Sequence, residues 1–361
     1  MGILIFIVVL GFLILIHEWG HFYVARQLGI KVERFSIGFG PVISKIQWKE
    51  TEYCISAIPL GGYVKLAGET LQEKMSGSIW EFATRPVWQR FLVIIAGPTC
   101  NYLLAFFVFW VIFMIGNPTL TNQVGEVLQG YPAQLAGLQT GDKIIVIEGK
   151  KIERWDDISE KIQKYPEQTI HLQIDRGGNL IEIKLTPKTE ERINLLGQKT
   201  RIPLIGIVPT KEIVSIRYSF FQALEMAAKK LLLFTQLTLK GLWLMITGAL
   251  PFKESVTGPI GIFYLASGAA KMGPVYFLQI IATVSASLAI FNVLPIPVLD
   301  GGHLLFLFIE AVKKKPLSIR TQEVLTQCGM AFLLLIMIFV FYNDFVRFGI
   351  VNKITHIFHP G

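Results

Sequence analysis

Apolar residues run without interruption for long stretches in four places, at 2–27, 91–116, 275–309 and 329–348. Each is long enough for a helix to cross a hydrocarbon core of about 30 Å. Between the first two, residues 30–69 change rhythm. Gly, Pro and alternating apolar positions, as in Thr51-Glu-Tyr-Cys-Ile-Ser-Ala-Ile-Pro59, predict short strands and turns, either a small sheet or a re-entrant hairpin. From 123 to 188 the pattern is that of a soluble α/β domain, with strands expected at 143–148, 169–174 and 180–185 and a helix at 155–165.

A fifth segment, 231–250, is mostly apolar but is broken by Lys240. Charge decides its reading. With four spans and an external N-terminus, the loops 26–90 and 313–320, which hold 13 of the 34 Lys and Arg residues, lie inside. A fifth crossing would put Lys313, Lys314 and Lys315 outside, so 218–250 is expected to lie in the outer interface or to brace the bundle. The apolar run 1–16 has neither a basic residue before it nor a small-residue cleavage site after it, so it is expected to stay as a transmembrane helix rather than leave as a signal peptide.

Composition agrees with a multi-span protein: 52% of residues are hydrophobic, 17% are charged and the mean hydropathy is +0.52. The net charge of +8 comes from dispersed residues and follows the positive-inside bias, so no nucleic-acid partner is expected. Cys54, Cys100 and Cys328 form no CxxC pair, which argues against both a disulfide framework and thiolate zinc.

Chemistry enters with His17-Glu18-Trp19-Gly20-His21. On a helix the two His residues, four apart, share a face and can converge on one zinc ion, and Glu18 stands beside them as general base. Ionisable groups inside a membrane helix are costly without such a purpose. Catalytic zinc generally takes three protein ligands, and Asp300 is the candidate for the third. It sits in Asn292-Val-Leu-Pro-Ile-Pro-Val-Leu-Asp-Gly-Gly-His303, where prolines break the helix and glycines allow close backbone approach. Depth agrees. The first helix reaches its histidines after about 16 residues, roughly 24 Å, and the third, running the same way, reaches Asp300 towards the same cytosolic side. His303 is a competing ligand candidate. Asn101 and Asn292 have two open uses, bonding a neighbouring helix or donating to the substrate backbone and oxyanion. An exposed edge within 53–66, with Tyr53, Ile55, Gly61 and Gly62 as candidate contacts, could hold an unwound substrate as an added strand. Rival readings are a non-catalytic membrane adaptor and a zinc carrier.

Taken together the motifs resemble the site-2 protease family of intramembrane zinc metalloproteases, in its bacterial regulator-of-sigma-E branch. The likeness is carried by the HEWGHF of the first helix, Gly38-Phe-Gly-Pro41, Ile58-Pro-Leu-Gly-Gly-Tyr63, Ala96-Gly-Pro98 with Asn101, Ser255-Val-Thr-Gly-Pro-Ile260 and the Asn292 to His303 run. It implies zinc held by His17, His21 and Asp300, with Glu18 as base. It also implies a PDZ-like domain, marked by Gly125-Glu-Val127, Ala136-Gly-Leu138 and Thr140-Gly-Asp142. Room is left for one such domain where the best-known members carry two. The implied substrates are single-span membrane proteins, an anti-sigma factor already cut once or remnant signal peptides. The implied setting is the bacterial inner membrane, in contact with lipid, with the PDZ-like domain and both termini extracytoplasmic and the active site towards the cytosol.

The expected fold is thus a polytopic α-helical membrane protein with four transmembrane helices, a small membrane-associated β region and one extracytoplasmic PDZ-like α/β domain. Its expected divisions are a first span with HExxH (1–29), a cytosolic-side hairpin or re-entrant region (30–90), a second span (91–116) and the PDZ-like domain (117–210). Interfacial or bracing helices (211–274), a third span with the Leu-Asp-Gly motif (275–312), a cytosolic loop (313–328) and a fourth span with the tail (329–361) follow.

Overall fold

The computed structural model describes residues 2–69, 77–193 and 199–348. In chain order its elements begin with α1 (Gly2–Gln27), β1 (Val32–Trp48), β2 (Thr51–Leu66) and α2 (Val87–Ile115). Next come β3 (Asn117–Leu120), β4 (Val124–Val127), α3 (Pro132–Leu135), β5 (Lys143–Ile147), β6 (Lys150–Lys151), α4 (Trp155–Ile162), β7 (Ile170–Arg176) and β8 (Asn179–Leu185). Then follow β9 (Lys188–Ile193), β10 (Lys199–Leu204), β11 (Ile207–Pro209), β12 (Ile213–Ile216) and α5 (Phe220–Ile246). The chain closes with α6 (Phe252–Ser255), α7 (Pro259–Met272), α8 (Pro274–Val293), α9 (Asp300–Lys313) and α10 (Ile319–Arg347). These residues fall into two compact units, one of residues up to 111, 225–238 and from 253 onward, the other of 112–224 and 239–252.

Among the described residues four helices are long and apolar enough to cross a membrane, α1 over Ile7–Gln27, α2, α8 and α10. The protein is a polytopic helical membrane protein. Helix α5 is not among the four, and Lys229, Lys230 and Lys240 lie along it.

The third apolar stretch, expected as one span over 275–309, holds the helix break expected from its prolines. Helix α8 stops at Val293 and α9 restarts at Asp300, with Leu299 as its extended N-cap. Pro295 and Pro297 cannot donate to a helical ladder, and Val298 takes the uncommon φ of 102°. Gly301 and Gly302 let this break fold tightly on itself. A Cβ on Gly302 would lie 2.5 Å from the Ile296 carbonyl oxygen, and one on Gly301 would collide with the Val293 and Leu294 carbonyls. Helix α10 also starts earlier than the span expected from 329, because Ser318 caps it, accepting a hydrogen bond from the Thr321 N–H at 3.2 Å.

At its far end α10 carries Asn343 and Asp344, both buried. The Asp344 carboxylate accepts from the N–H groups of Gly258 and Gly261 at 3.1 and 3.0 Å, where α7 begins, and Asn343 donates to the Lys253 carbonyl at 2.8 Å. Gly258 of the Ser255 to Ile260 motif and the neighbouring Gly261 thus cradle a buried carboxylate, which satisfies orphan donors at a helix start.

The β1–β2 hairpin folds back on itself. Residues 34–37 lie opposite both 62–65 and 52–55, and 42–48 lie opposite 51–56. Gly38 and Gly61, with φ of 91° and 109°, sit in the bends that make this possible.

In the second unit, β6-β5-β7-β8 form a four-stranded antiparallel sheet. Its inward positions, among them Ile144, Ile147, Ile170, Leu172 and Ile174, form one core with Val124, Ile158 and Ile205. Asp142, buried beside this core, receives two hydrogen bonds of 2.7 Å from Arg176 and one of 2.8 Å from the Gln139 N–H. Burial pushes its carboxyl pKa up, but the Arg176 and Gln139 hydrogen bonds outweigh that and hold it below the usual carboxylate value. A depressed folded-state pKa gives stability that is present above the unfolded value near 4 and lost as pH falls through the folded one. Asp142→Asn is therefore expected to cost about 2 kcal/mol at pH 7. By scanning calorimetry of the full chain in detergent, the difference from wild type should shrink as pH drops below about 4.

Candidate metal centre

The site is built in the first unit, from α1, α2, α9 and the last strand segment of the hairpin. His17 and His21 stand one turn apart on α1 with their Nε2 atoms 3.2 Å from each other and their rings nearly perpendicular, at 80°. The His21 Nδ1 lies 2.8 Å from the Val93 carbonyl oxygen of α2. A carbonyl can only accept, so that contact places the proton on Nδ1 and leaves the Nε2 lone pair facing the site. Asp300, at the start of α9, brings Oδ2 to 3.0 Å from His17 Nε2 and Oδ1 to 3.6 Å from His21 Nε2. The helix break at 294–299 is what delivers this carboxylate at the right depth.

Three observations bear on whether a metal fits. His17, His21 and Asp300 form a group able to offer one ligand atom each within 4.8 Å of one another. Their closest approaches, 3.0 Å from His17 Nε2 to Asp300 Oδ2, 3.2 Å between the two imidazoles and 3.6 Å from His21 Nε2 to Asp300 Oδ1, involve both carboxylate oxygens and are near the roughly 3.3 Å at which tetrahedral zinc spaces its ligands. The Asp300 Oδ2 is buried with no hydrogen-bond donor, an expensive state for a carboxylate oxygen unless a cation neutralises it. The third observation is Gly97 on α2: a Cβ there would lie 2.8 Å from His17 Nε2 and clash with His21 Nε2. The glycine thus keeps open the space in front of both imidazoles. Residues of this kind, two imidazoles and a carboxylate, suit zinc.

Glu18 is turned towards the hairpin, where its Oε2 accepts from the Val64 N–H at 3.1 Å. Gly62 lies alongside, since a Cβ there would be 3.7 Å from Glu18 Cγ. The segment 62–66 pairs on one side with β1 and with no further strand among the described residues. Tyr53 and Ile55 are placed differently. Tyr53 lies opposite Phe35 and Ile46, and Ile55 opposite Ile37 and Ser44, so both are on a stretch paired on either side, with the Ile55 side chain exposed. The edge next to Glu18 is the Gly61 and Gly62 end of the region, not the Tyr53 and Ile55 end.

The two asparagines also part company. Asn101 is fully buried in α2, with neither amide atom hydrogen-bonded, while its main-chain carbonyl accepts from Ser285 Oγ at 2.8 Å. Asn292 is half-buried at the end of α8, directly before the helix break.

His17, Glu18, His21 and Asp300 open onto a cavity of about 890 Å³ whose wall includes Val64, His303, Arg90 and Glu310. Arg90 and Glu310 form a largely buried two-pronged ion pair, one prong at 3.1 Å, that ties the start of α2 to the end of α9. Arg90 Nε also donates to the Arg85 carbonyl at 3.0 Å. The pair links the helix bearing Val93 and Gly97 to the helix bearing Asp300. The sequence marks Gly97 only as part of Ala96-Gly-Pro98, without its place before the imidazoles, and shows neither the Val93 carbonyl nor this ion pair. A glycine beside Pro98 in an otherwise apolar helix was the available signal for the first, and the other two carry none.

The model of peptidase family M50 matches residues 5–336. Cj1068 of Campylobacter jejuni, by name a candidate zinc metalloprotease, is 36% identical over 343 residues, covering 94% of this chain and 92% of that one. Protease RseP of Yersinia pestis is 31% identical, and regulator of sigma-E protease RseP of Escherichia coli 30%, each covering 95% of this chain and 98% of the relative. The Escherichia coli alignment runs over 449 positions, more than the 361 residues present here, so that relative contains a stretch with no counterpart in this chain. Among solved structures, the PDZ domain of the SdrC-like protein of Listeria monocytogenes is similar at 22% identity and a TM-score of 0.20, over 24% of this chain and 84% of that one. With the family model and these relatives spanning nearly its whole length, the chain belongs to peptidase family M50 and is a zinc metalloprotease of the membrane.

Proposed function

We propose that the protein is an intramembrane endopeptidase that hydrolyses a peptide bond within the transmembrane segment of single-span membrane proteins. The observation that carries this reading is the convergence of His17, His21 and Asp300, beside Glu18, on a cavity within a bundle of membrane helices. His17, His21 and Asp300 would hold the zinc. When bound, zinc supplies a Lewis acid for the substrate carbonyl and makes a water acidic enough to lose a proton near neutral pH. Glu18 takes that proton, and the Val64 N–H that holds its Oε2 keeps the carboxylate oriented before and after the transfer. Glu18 then returns a proton to the leaving amine as the C–N bond breaks.

A helical substrate hides its carbonyls in its own hydrogen bonds and must unwind to be cut. The side of 62–66 next to Glu18 that no described strand covers supports a reading in which the unwound stretch adds as a strand, with Gly61 and Gly62 giving the substrate backbone room. Asn101 and Asn292 are proposed to donate to the substrate or to the oxyanion, Asn101 on the ground that its buried amide lacks a partner. The names of the relatives point to a sigma-E pathway, so an anti-sigma factor already cut once is the proposed regulatory substrate, with remnant signal peptides as a second class. The proposed setting is the bacterial inner membrane, with both termini and the α/β unit extracytoplasmic, as the distribution of Lys and Arg favours.

A single-span reporter in liposomes tests the reading. Purified full-length enzyme with zinc is expected to cut it near the cytosolic end of the span. Replacing two leucines by Gly-Pro beside the cut should raise the rate about tenfold, because unwinding is made cheaper. No cutting of either reporter by zinc-loaded enzyme would overturn it.

A further inference from the structure

Peptide hydrolysis needs a hydrogen-bond donor for the oxygen that becomes negative in the transition state, and beyond the amides of Asn101 and Asn292 already proposed, few groups near the metal cluster are free to give one. Val64 N–H is committed to Glu18, and Arg90 is committed to Glu310 and to the Arg85 carbonyl. Across the cavity, Gln322 Nε2 donates to the Leu317 carbonyl at 3.0 Å. His303 differs from all of these. It lies one turn after Asp300 on α9, a spacing that puts the two side chains on one face with Cβ atoms about 5–6 Å apart. It lines the same cavity as His17, Glu18 and His21, is exposed to it, and has no hydrogen-bond partner among the described residues. Phe306 meets its ring edge-on, with centroids 6.1 Å apart at 81°, and so limits the rotation of the imidazole. His303 is also outside the ligand group formed by His17, His21 and Asp300.

We propose that His303 is a catalytic residue of this protease, donating an imidazole N–H to the developing oxyanion within the cavity that it shares with Glu18. This rests on the protease reading above. Water oxygen adds to the carbonyl carbon, Glu18 accepts the proton and passes it to the leaving nitrogen, and the C–N bond breaks to give a carboxylate and an amine. His303 stabilises charge throughout and neither gains nor loses a proton. A donor of this type is worth about 100-fold or more in turnover.

The test uses full-length enzyme in detergent with the single-span reporter, comparing wild type, Glu18→Gln, His303→Ala and His303→Gln, with bound zinc measured in each. The expected result is full zinc in His303→Ala, KM within about twofold of wild type and kcat lower by about 100-fold, with His303→Gln recovering part of the loss through its own N–H. Affinity for a phosphinic peptide, which mimics the tetrahedral state, should fall in parallel with kcat, while affinity for uncut reporter stays unchanged. Unchanged kcat in His303→Ala would overturn the proposal, as would loss of zinc, which would make His303 a ligand instead. If wild type itself fails to cut, the underlying protease reading falls, and the phosphinic peptide still decides whether His303 contributes to binding the tetrahedral state.

Discussion

Gly97→Ala is expected to give a folded, membrane-inserted protein that no longer retains zinc and no longer cleaves. The added methyl group would stand 2.8 Å from His17 Nε2 and 2.6 Å from His21 Cε1, and would overlap His21 Nε2. Nothing nearby yields cheaply. His21 is tied to the Val93 carbonyl on the same helix as Gly97, so the imidazole and the methyl group cannot both be accommodated without moving α1 from α2. These helices already touch at backbone distance, since a Cβ on Gly20 would lie 2.5 Å from the Ala96 carbonyl oxygen. Metal analysis of purified protein should find zinc reduced by about tenfold or more, since a ligand set displaced by even 1 Å loses its geometry. Helix content by circular dichroism should match wild type. Thr99→Ala is the control. Its hydroxyl donates only to the Ile95 carbonyl of its own helix, and its removal should leave zinc and activity in place.

Glu18→Gln separates binding from chemistry. Glutamine keeps the size of the side chain and an oxygen able to accept from Val64, but cannot take a proton from water. Zinc should be retained in full, because Glu18 is outside the group of His17, His21 and Asp300. Turnover should fall by about 10³–10⁴-fold, the upper range for losing a general base. Persistent turnover near the wild-type rate would remove Glu18 from the reaction, and loss of zinc would mean that it is a ligand.

The two mutants also mark what the amino-acid order can and cannot convey. The HExxH spacing is readable because an α-helix has one fixed period, and residues four apart must share a face. Asp300 is readable because prolines and glycines flank an acid in an apolar stretch, a combination costly enough to need a reason. The same prolines announce a break in the third stretch but not that the chain folds tightly on itself between Val293 and Asp300, since broken and kinked helices share that composition. The hairpin shows the limit most plainly. Alternation announces strands over 30–69, but only the register says that Tyr53 and Ile55 are paired on both sides while Gly62 and Val64 meet Glu18. Register depends on where the chain bends, and the bends here are set by single glycines at positive φ. Pairings between distant positions, such as Arg90 with Glu310 or His21 with Val93, leave no periodic trace and come only from the folded chain.

The measurement that bears most directly on the account is the zinc K-edge absorption spectrum of the purified wild-type protein, compared with Asp300→Ala. One tightly bound zinc with two imidazole nitrogens and oxygen ligands, and no sulfur, with weakened binding and one fewer oxygen in Asp300→Ala, is the predicted result. A sulfur ligand, or a wild-type coordination shell that Asp300→Ala leaves unchanged, would contradict the site built from His17, His21 and Asp300.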